Sequence, residues 1–288
     1  MVLNYKAMAK VNLGLDVLRK REDGYHEVKM IMQTVNLYDR ITVSDTDSGK
    51  IEVTTNLSYL PNDENNLVYK AAKLMIDTFD IKDGVDIDLD KHIPVAAGMA
   101  GGSTDAASVL FGMNKMFELN QSSEKLMELG VTLGADVPYC IMRGTALSEG
   151  IGEKLTRLKP VPQCYVLIAK PGISVSTKYV YETLDAKEVI EHPDIDSMIA
   201  AIDESDIKKL ASLMGNVLET VTEQEYPVIT EIKNYMKQNG AINAMMSGSG
   251  PTVFGLYEKE EDAVSAMRGL RELGIAKQLF VTDMYNVK

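Results

Sequence analysis

The segment Pro94-Val95-Ala96-Ala97-Gly98-Met99-Ala100-Gly101-Gly102-Ser103-Thr104 sets three glycines among small side chains and contains no lysine. Such a stretch leaves the backbone unshielded, so successive N–H groups can approach an anion closely. It leads from an alternating strand pattern (Val85, Ile87, Leu89) into a helical one over Ser103 to Met116, with Ala106, Ala107, Leu110 and Met113 apolar. A strand-to-helix passage aims the free N–H groups and the helix dipole at one point. Ser103 and Thr104 read as caps of that helix, and a hydroxyl there could bond a phosphate or ligate Mg²⁺. Glycines at 98, 101 and 102 fit neither a Walker A loop nor G-x-G-x-x-G. A tight turn would use the same residues, so glycine content alone leaves an anion cradle and a plain turn both open.

Further residues stand where chemistry would need them. Lys10 and Asn12 are two apart in a strand-like run and so face the same side; each also reads as an ordinary strand residue, one solvated and one packed. Asp136 precedes Val137-Pro138, which reads as a chain break after a helix, where a carboxylate can face a cleft or simply end the helix. Asn65-Asn66 opens a helical pattern as a natural cap. Tyr181 lies in an amphipathic stretch over 177–184, where an aromatic is often core. Gly248-Ser249-Gly250 reads as a tight turn, permissive enough for another backbone to approach it. His92 and His192 have no partner pattern and read as structural.

The elements that must position these residues are mixed. Strands are expected at Val2 to Met8, Val11 to Leu18, Val28 to Val35, Ile41 to Val43 and Ile51 to Thr55, with turns at Glu22-Asp23-Gly24 and Asp45 to Lys50. Helical patterns cover Asn66 to Phe79 and Ser122 to Leu133. From residue 163 a second series begins: a strand at Tyr165 to Ala169, helices at Thr177 to Leu184, Ile195 to Ile202, Asp206 to Leu218 and Val228 to Asn239, then strands at Ile242 to Met246 and Thr252 to Tyr257, a helix at Glu260 to Leu273 and a strand at Gln278 to Val281. Strands and helices that do not strictly alternate point to an α+β protein. A boundary near Leu158-Lys159-Pro160-Val161-Pro162 divides the chain into 1–160 and 161–288.

Composition narrows the function classes. The chain has 288 residues, 45% hydrophobic and 25% charged, which is ordinary for a core-forming protein of two domains. Its net charge is -12, which argues against nucleic acid, since phosphate contacts ask for a basic face. An acidic protein that binds a polyanion must supply local positive potential, from backbone N–H groups or a bound cation. The N-terminus lacks a signal-peptide pattern, and no apolar run approaches the roughly 20 residues needed to span a bilayer. Two cysteines, Cys140 and Cys164, form neither a disulfide framework nor a metal motif and fit a reducing cytoplasm.

Three blocks in order carry a resemblance: Ala9-Lys10-Val11-Asn12-Leu13-Gly14-Leu15 with Asp23-Gly24-Tyr25-His26, the Pro94 to Thr104 segment running on into Asp105-Ala106, and Ser247-Gly248-Ser249-Gly250-Pro251-Thr252-Val253-Phe254-Gly255. With Gly134-Ala135-Asp136-Val137-Pro138 and Gly144-Thr145-Ala146, the chain from about Tyr5 to Gly255 resembles the GHMP kinase superfamily, named for galactokinase, homoserine kinase, mevalonate kinase and phosphomevalonate kinase. Within it, Asp-Gly-Tyr-His is similar to a subfamily whose acceptor is a cytidine-diphosphate-linked methylerythritol. The resemblance implies a two-domain α+β fold, an N-terminal domain like the second domain of ribosomal protein S5 and a ferredoxin-like C-terminal domain.

It also implies ATP as phosphate donor with Mg²⁺, and ATP phosphates on Pro94 to Thr104 with adenine near Asn66. Asp136 would accept the proton of the substrate hydroxyl with Lys10 beside it. Asn12 would bond substrate, Tyr25 would stack on the cytosine, His26 would read the base edge, and Tyr181, by its offset from Pro171-Gly172, would cover the other face. A homoserine or mevalonate-type acceptor is the alternative, disfavoured because neither offers a base to stack; a non-catalytic ligand-binding module on the same scaffold is the other. Two departures from the common pattern are Met99-Ala100 in place of Leu-Gly and Thr104 in place of Ser. Because Ala100 carries a Cβ, it is expected to avoid positive φ.

Overall fold

The structure is a computed structural model that describes residues 1–185 and 191–287. In chain order these form β1 (Val2–Lys20), β2 (His26–Thr46), β3 (Ile51–Thr55), α1 (Leu67–Phe79), β4 (Gly84–Asp90), α2 (Gly101–Met116), α3 (Ser123–Gly130), α4 (Val137–Met142), β5 (Thr145–Gly150) and β6 (Lys154–Arg157). Then follow β7 (Tyr165–Lys170), α5 (Thr177–Leu184), α6 (Ile195–Asp203), α7 (Ile207–Leu213), α8 (Glu219–Glu225), α9 (Val228–Gln238), β8 (Asn243–Met246), β9 (Val253–Tyr257), α10 (Glu260–Leu273) and β10 (Gln278–Asp283). Among the described residues no helix is long and apolar enough to cross a membrane.

The chain divides into two compact units that interleave in sequence. The first comprises residues 1–9, 37–95 and 100–142. In it the second half of β2 pairs antiparallel with β4 (Arg40 opposite Asp90), and β4 pairs parallel with β3 (Ile51 opposite Val85). Helix α1 packs on α2, and α3 and α4 pack on one another and on α2. Asn66 caps α1: its Oδ1 accepts the Val68 N–H at 3.1 Å, while its Nδ2 donates to the Pro61 carbonyl at 2.7 Å. Val68, Ala71 and Met75 of α1 and Val109, Leu110 and Met113 of α2 are fully buried, the apolar stripes their spacing dictates.

The second unit comprises residues 10–36, 96–99 and 143–288. Here the first half of β2 pairs with β5 (Val28 opposite Gly150), and β5 with β6. An antiparallel sheet of order β10-β7-β9-β8 carries α9 and α10 against it.

Several expectations are corrected. The strands expected at Val2 to Met8 and Val11 to Leu18 form one continuous β1, and those at Val28 to Val35 and Ile41 to Val43 form one continuous β2. In β2 the inward positions Leu37, Ile41 and Val43 include a fully buried Asp39, and this charge in a core slot hid the strand's continuity. The helix expected over Asp206 to Leu218 stops at Leu213. Beyond it the Leu15 N–H donates to the Gly215 carbonyl at 2.9 Å and the Val217 N–H donates to the Leu15 carbonyl at 3.0 Å, so tertiary backbone bonds replace helical ones. Helix α8, unread in the sequence, starts after this break. Pro138 does not break the chain: it lies in the first turn of α4, where a missing N–H costs nothing.

Candidate active site

The glycine-rich segment is rooted in buried charge. Asp39 Oδ1 accepts the N–H groups of His92 and Ile93 at 2.5 and 2.7 Å, fixing the chain just ahead of Pro94. Lys91 Nζ forms an ion pair with Asp39 and donates to Asp105 Oδ2 at 2.6 Å. All three side chains are buried. Burial alone would lower the Lys91 ammonium, but Asp105 and Asp39 outweigh it and hold it above its ordinary value. Burial drives the Asp105 carboxyl well up; Lys91 opposes the rise and Asp39 adds to it. A Cβ at Gly101 would lie 3.2 Å from Lys91 Nζ, so this charge cluster abuts the first residue of α2.

Within the segment, Ala96, Gly98 and Ala100 are left-handed, with φ of 50°, 72° and 55°. Left-handed residues at alternating positions curl successive N–H groups toward one side, the concave arrangement that suits anions. The expectation for Ala100 is therefore overturned: it adopts positive φ in spite of its Cβ. The capping expectation falls with it, because α2 starts at Gly101, two residues early, with Ala100 as a cap that makes no side-chain bond. Ser103 and Thr104 lie inside the first turn; the Thr104 N–H donates to the Ala100 carbonyl at 2.9 Å, while the N–H groups of Gly101 to Ser103 ahead of it have no helical acceptor.

Gly98 is where the motif blocks meet. Its carbonyl accepts from Lys10 Nζ at 3.2 Å and from Ser247 Oγ at 2.9 Å, and the Lys10 N–H donates to the Met99 carbonyl at 3.2 Å. A Cβ at Gly98 would overlap the Ser247 carbonyl oxygen, so a side chain there is excluded by space as well as by φ. The Gly248 turn does approach the cradle, as its permissive sequence suggested. Lys10, 5% exposed, also donates to Asn12 Oδ1 at 2.7 Å, and Asn12 Nδ2 donates to Met30 Sδ at 3.2 Å. Both side chains share one face, as their spacing requires, and neither is a solvated surface group. Asn216 Nδ2 braces the turn by donating to the Met246 and Gly248 carbonyls at 2.9 and 2.8 Å.

Asp136 is half-buried immediately before α4, and its carbonyl accepts the Cys140 N–H at 3.0 Å. In the same unit, Ser103 Oγ lies 3.9 Å from where a Cβ of Gly134 would stand, so the α2 N-terminus borders the Gly134 to Asp136 loop. Asn66 is near the α2 start as well, since its neighbour Leu67 packs against Gly102.

A second cluster forms at the β1–β2 turn. Tyr25 is 60% exposed. His26 Nε2 donates to Asp185 Oδ1 at 2.6 Å, and its ring centroid is 4.8 Å from that of Tyr181, tilted by 36°. Lys20 Nζ donates to Asp185 Oδ2 at 2.6 Å. The Lys20 bond, with His26 adding to it, holds the Asp185 carboxyl below its ordinary value. The Tyr181 ring thus lies beside the His26 imidazole. Sequence reasoning missed Asp39, Lys91, Asn216 and Asp185, and gave Asp105 no role. Asp105 follows the cradle directly, while the others are isolated polar residues with no local pattern to mark them.

Comparisons with known proteins identify the family. Family models match as GHMP kinases N terminal domain over residues 66–144 and GHMP kinases C terminal over 198–276. A 4-diphosphocytidyl-2-C-methyl-D-erythritol kinase of Lachnospira eligens is 57% identical, with 98% of each chain covered. One of Bacillus subtilis is 49% identical over 97% of this chain and 96% of its own. A crystal structure of 4-(cytidine 5'-diphospho)-2C-methyl-D-erythritol kinase superposes with a TM-score of 0.84 at 31% identity, covering 99% of this chain and 100% of that one. A homoserine kinase structure from Cytophaga hutchinsonii, 19% identical with a TM-score of 0.75 over 96% and 94% of the two chains, shares the fold. The class is that of the GHMP kinases, and the expected α+β, two-domain fold is borne out. Within that class, the chain belongs to the 4-diphosphocytidyl-2-C-methyl-D-erythritol kinase family.

Proposed function

We propose that this protein transfers the γ-phosphoryl group of ATP to the 2-hydroxyl of 4-diphosphocytidyl-2-C-methyl-D-erythritol, a step in making isoprenoid precursors by the non-mevalonate route. The observation that carries this reading is the convergence on Gly98, where Lys10, Ser247 and the cradle meet through one carbonyl. Residues Pro94 to Thr104 hold the triphosphate with backbone N–H groups, and Asn66 lies toward the adenine. The hydroxyl oxygen bonds to the γ-phosphorus as the β–γ bridge breaks and ADP leaves. Asp136 takes the hydroxyl proton, and the Lys10 ammonium stabilises negative charge developing on that oxygen. Asn12 orients the acceptor, Tyr25 and Tyr181 stack on the cytosine, and His26 bonds its edge. In sequence terms, residues 1–160 bind ATP and carry the chemistry, while 161–288 cover the acceptor.

Mg²⁺ belongs to the same reading. A Mg²⁺ that binds together with substrate phosphates needs few protein oxygens. Ser103 and Thr104 in the first turn of α2 each carry a hydroxyl that would hold it, Ser103 being half-buried and Thr104 fully buried. When bound, Mg²⁺ would supply charge neutralisation to the transferring phosphates. A reducing cytoplasm suits the two buried free cysteines, and both substrates are small molecules rather than nucleic acid.

An ADP-release assay with three acceptors tests the reading. Turnover is expected with the cytidine acceptor alone. Comparable kcat/KM with homoserine or mevalonate would move the enzyme elsewhere in the superfamily, and no ADP with any acceptor would leave a ligand-binding module.

A further inference from the structure

Asp185 closes α5, and both of its oxygens are engaged: one accepts from Lys20 Nζ and the other from His26 Nε2, each at 2.6 Å. The imidazole has its own side chain 11% exposed and is flanked by the Tyr181 ring at 4.8 Å. A carboxylate accepts only, so in the neutral imidazole the proton sits on Nε2. That leaves Nδ1 as a lone-pair acceptor, and among the described residues Nδ1 makes no hydrogen bond.

We propose that Asp185 is a specificity-determining positioning residue: by fixing the Nε2–H tautomer of His26, it makes Nδ1 an acceptor that takes a cytosine 4-amino group and refuses a uracil 4-carbonyl. This rests on the reading of Tyr25, His26 and Tyr181 as the base pocket. Stacking between aromatic rings is nearly indifferent to which base is present, because every base offers a π-face. Discrimination therefore falls to the edge, where the two pyrimidines differ at position 4: cytosine presents an N–H donor and uracil a carbonyl acceptor. Two facing acceptors leave both lone pairs unpaired, and polar mismatch of this kind discriminates far more strongly than apolar shape. Lys20 contributes by anchoring the far oxygen of Asp185, so the carboxylate cannot turn away from the ring.

The first test needs no substitution. In ¹⁵N-labelled protein without ligand at pH 8, His26 should show a pyrrole-type shift at Nε2 and a pyridine-type shift at Nδ1. The opposite assignment overturns the proposal. The second compares kcat/KM for the cytidine-diphosphate acceptor with that for its uridine counterpart. The unsubstituted protein should favour cytidine by about 100-fold or more, and Asp185→Ala should cut that ratio at least about tenfold, with the ¹⁵N shifts moving toward a tautomer average. An unchanged ratio in Asp185→Ala overturns the role of Asp185. His26→Ala separates the two levels: if it raises KM for the cytidine acceptor while Asp185→Ala keeps the ratio, the base pocket stands and the tautomer device falls. Should His26→Ala leave that KM untouched, both fall.

Discussion

On the proposed reading, the anion cradle and the base-reading cluster solve two recognition problems with different parts of the chain. From Ala96 to Ala100 the chain offers backbone: left-handed residues at 96, 98 and 100, and a helix start with no side-chain cap. At the β1–β2 turn it offers side chains: an exposed tyrosine and a histidine beside a second tyrosine and an aspartate. The cradle is fixed at its root by a buried Lys91–Asp39–Asp105 cluster, whereas the base cluster is held by bonds between partly exposed groups. A phosphate is the same in every nucleotide, so backbone geometry suffices to hold it. A base has a pattern of donors and acceptors, and only side chains with a defined protonation can read it. Damage to the cradle should therefore appear as lost fold and lost turnover together, and damage to the base cluster as altered choice of substrate.

The largest effect is expected at Gly98. Gly98→Ala meets the Ser247 carbonyl and a φ of 72°, and strain plus overpacking should cost about 2–5 kcal/mol of stability. Urea unfolding should show this alongside a collapse of kcat/KM; an alanine variant as stable and active as the parent would break the account of the cradle. Asp136→Asn keeps the size of the side chain and should lower kcat by about 10²–10⁴-fold with both substrate affinities nearly intact. Near-normal kcat would remove Asp136 as the base.

Lys91→Met strands two buried carboxylates and should cost about 3–5 kcal/mol. Its deficit has a predicted pH dependence. Burial has already raised Asp105, so the folded protein favours its acid form; as pH falls through that raised value the carboxyl takes up a proton and the missing ammonium matters less. The deficit against the parent should narrow toward acid pH, and a widening one would contradict the charge arrangement.

How much was legible beforehand follows the same division. The Asn66 cap and the shared face of Lys10 and Asn12 carry their meaning in local pattern, whereas the glycines and the Tyr25-His26 pair point to a role only through the family resemblance. So do most helices and strands, whose apolar spacing matches what they bury. Lys91 and Asp39 are illegible because their partners lie far away in sequence and a buried charge looks like a surface one. Asp39 also broke the apolar alternation that would have shown β2 as one strand. Ala100 was misread because its Cβ argued for ordinary φ, while the surrounding chain holds it left-handed. The run from Met214 to Leu218 reads as helix, yet the backbone bonds to Leu15 take it out of one.

The separation of the two regions is tested most directly by steady-state kinetics of Tyr25→Ala with each substrate varied in turn. Loss of base stacking, on the order of 1–3 kcal/mol, should raise KM for the cytidine-diphosphate acceptor about tenfold or more while KM for ATP stays within twofold. Equal shifts in both would show that cradle and base cluster do not work as separate sites.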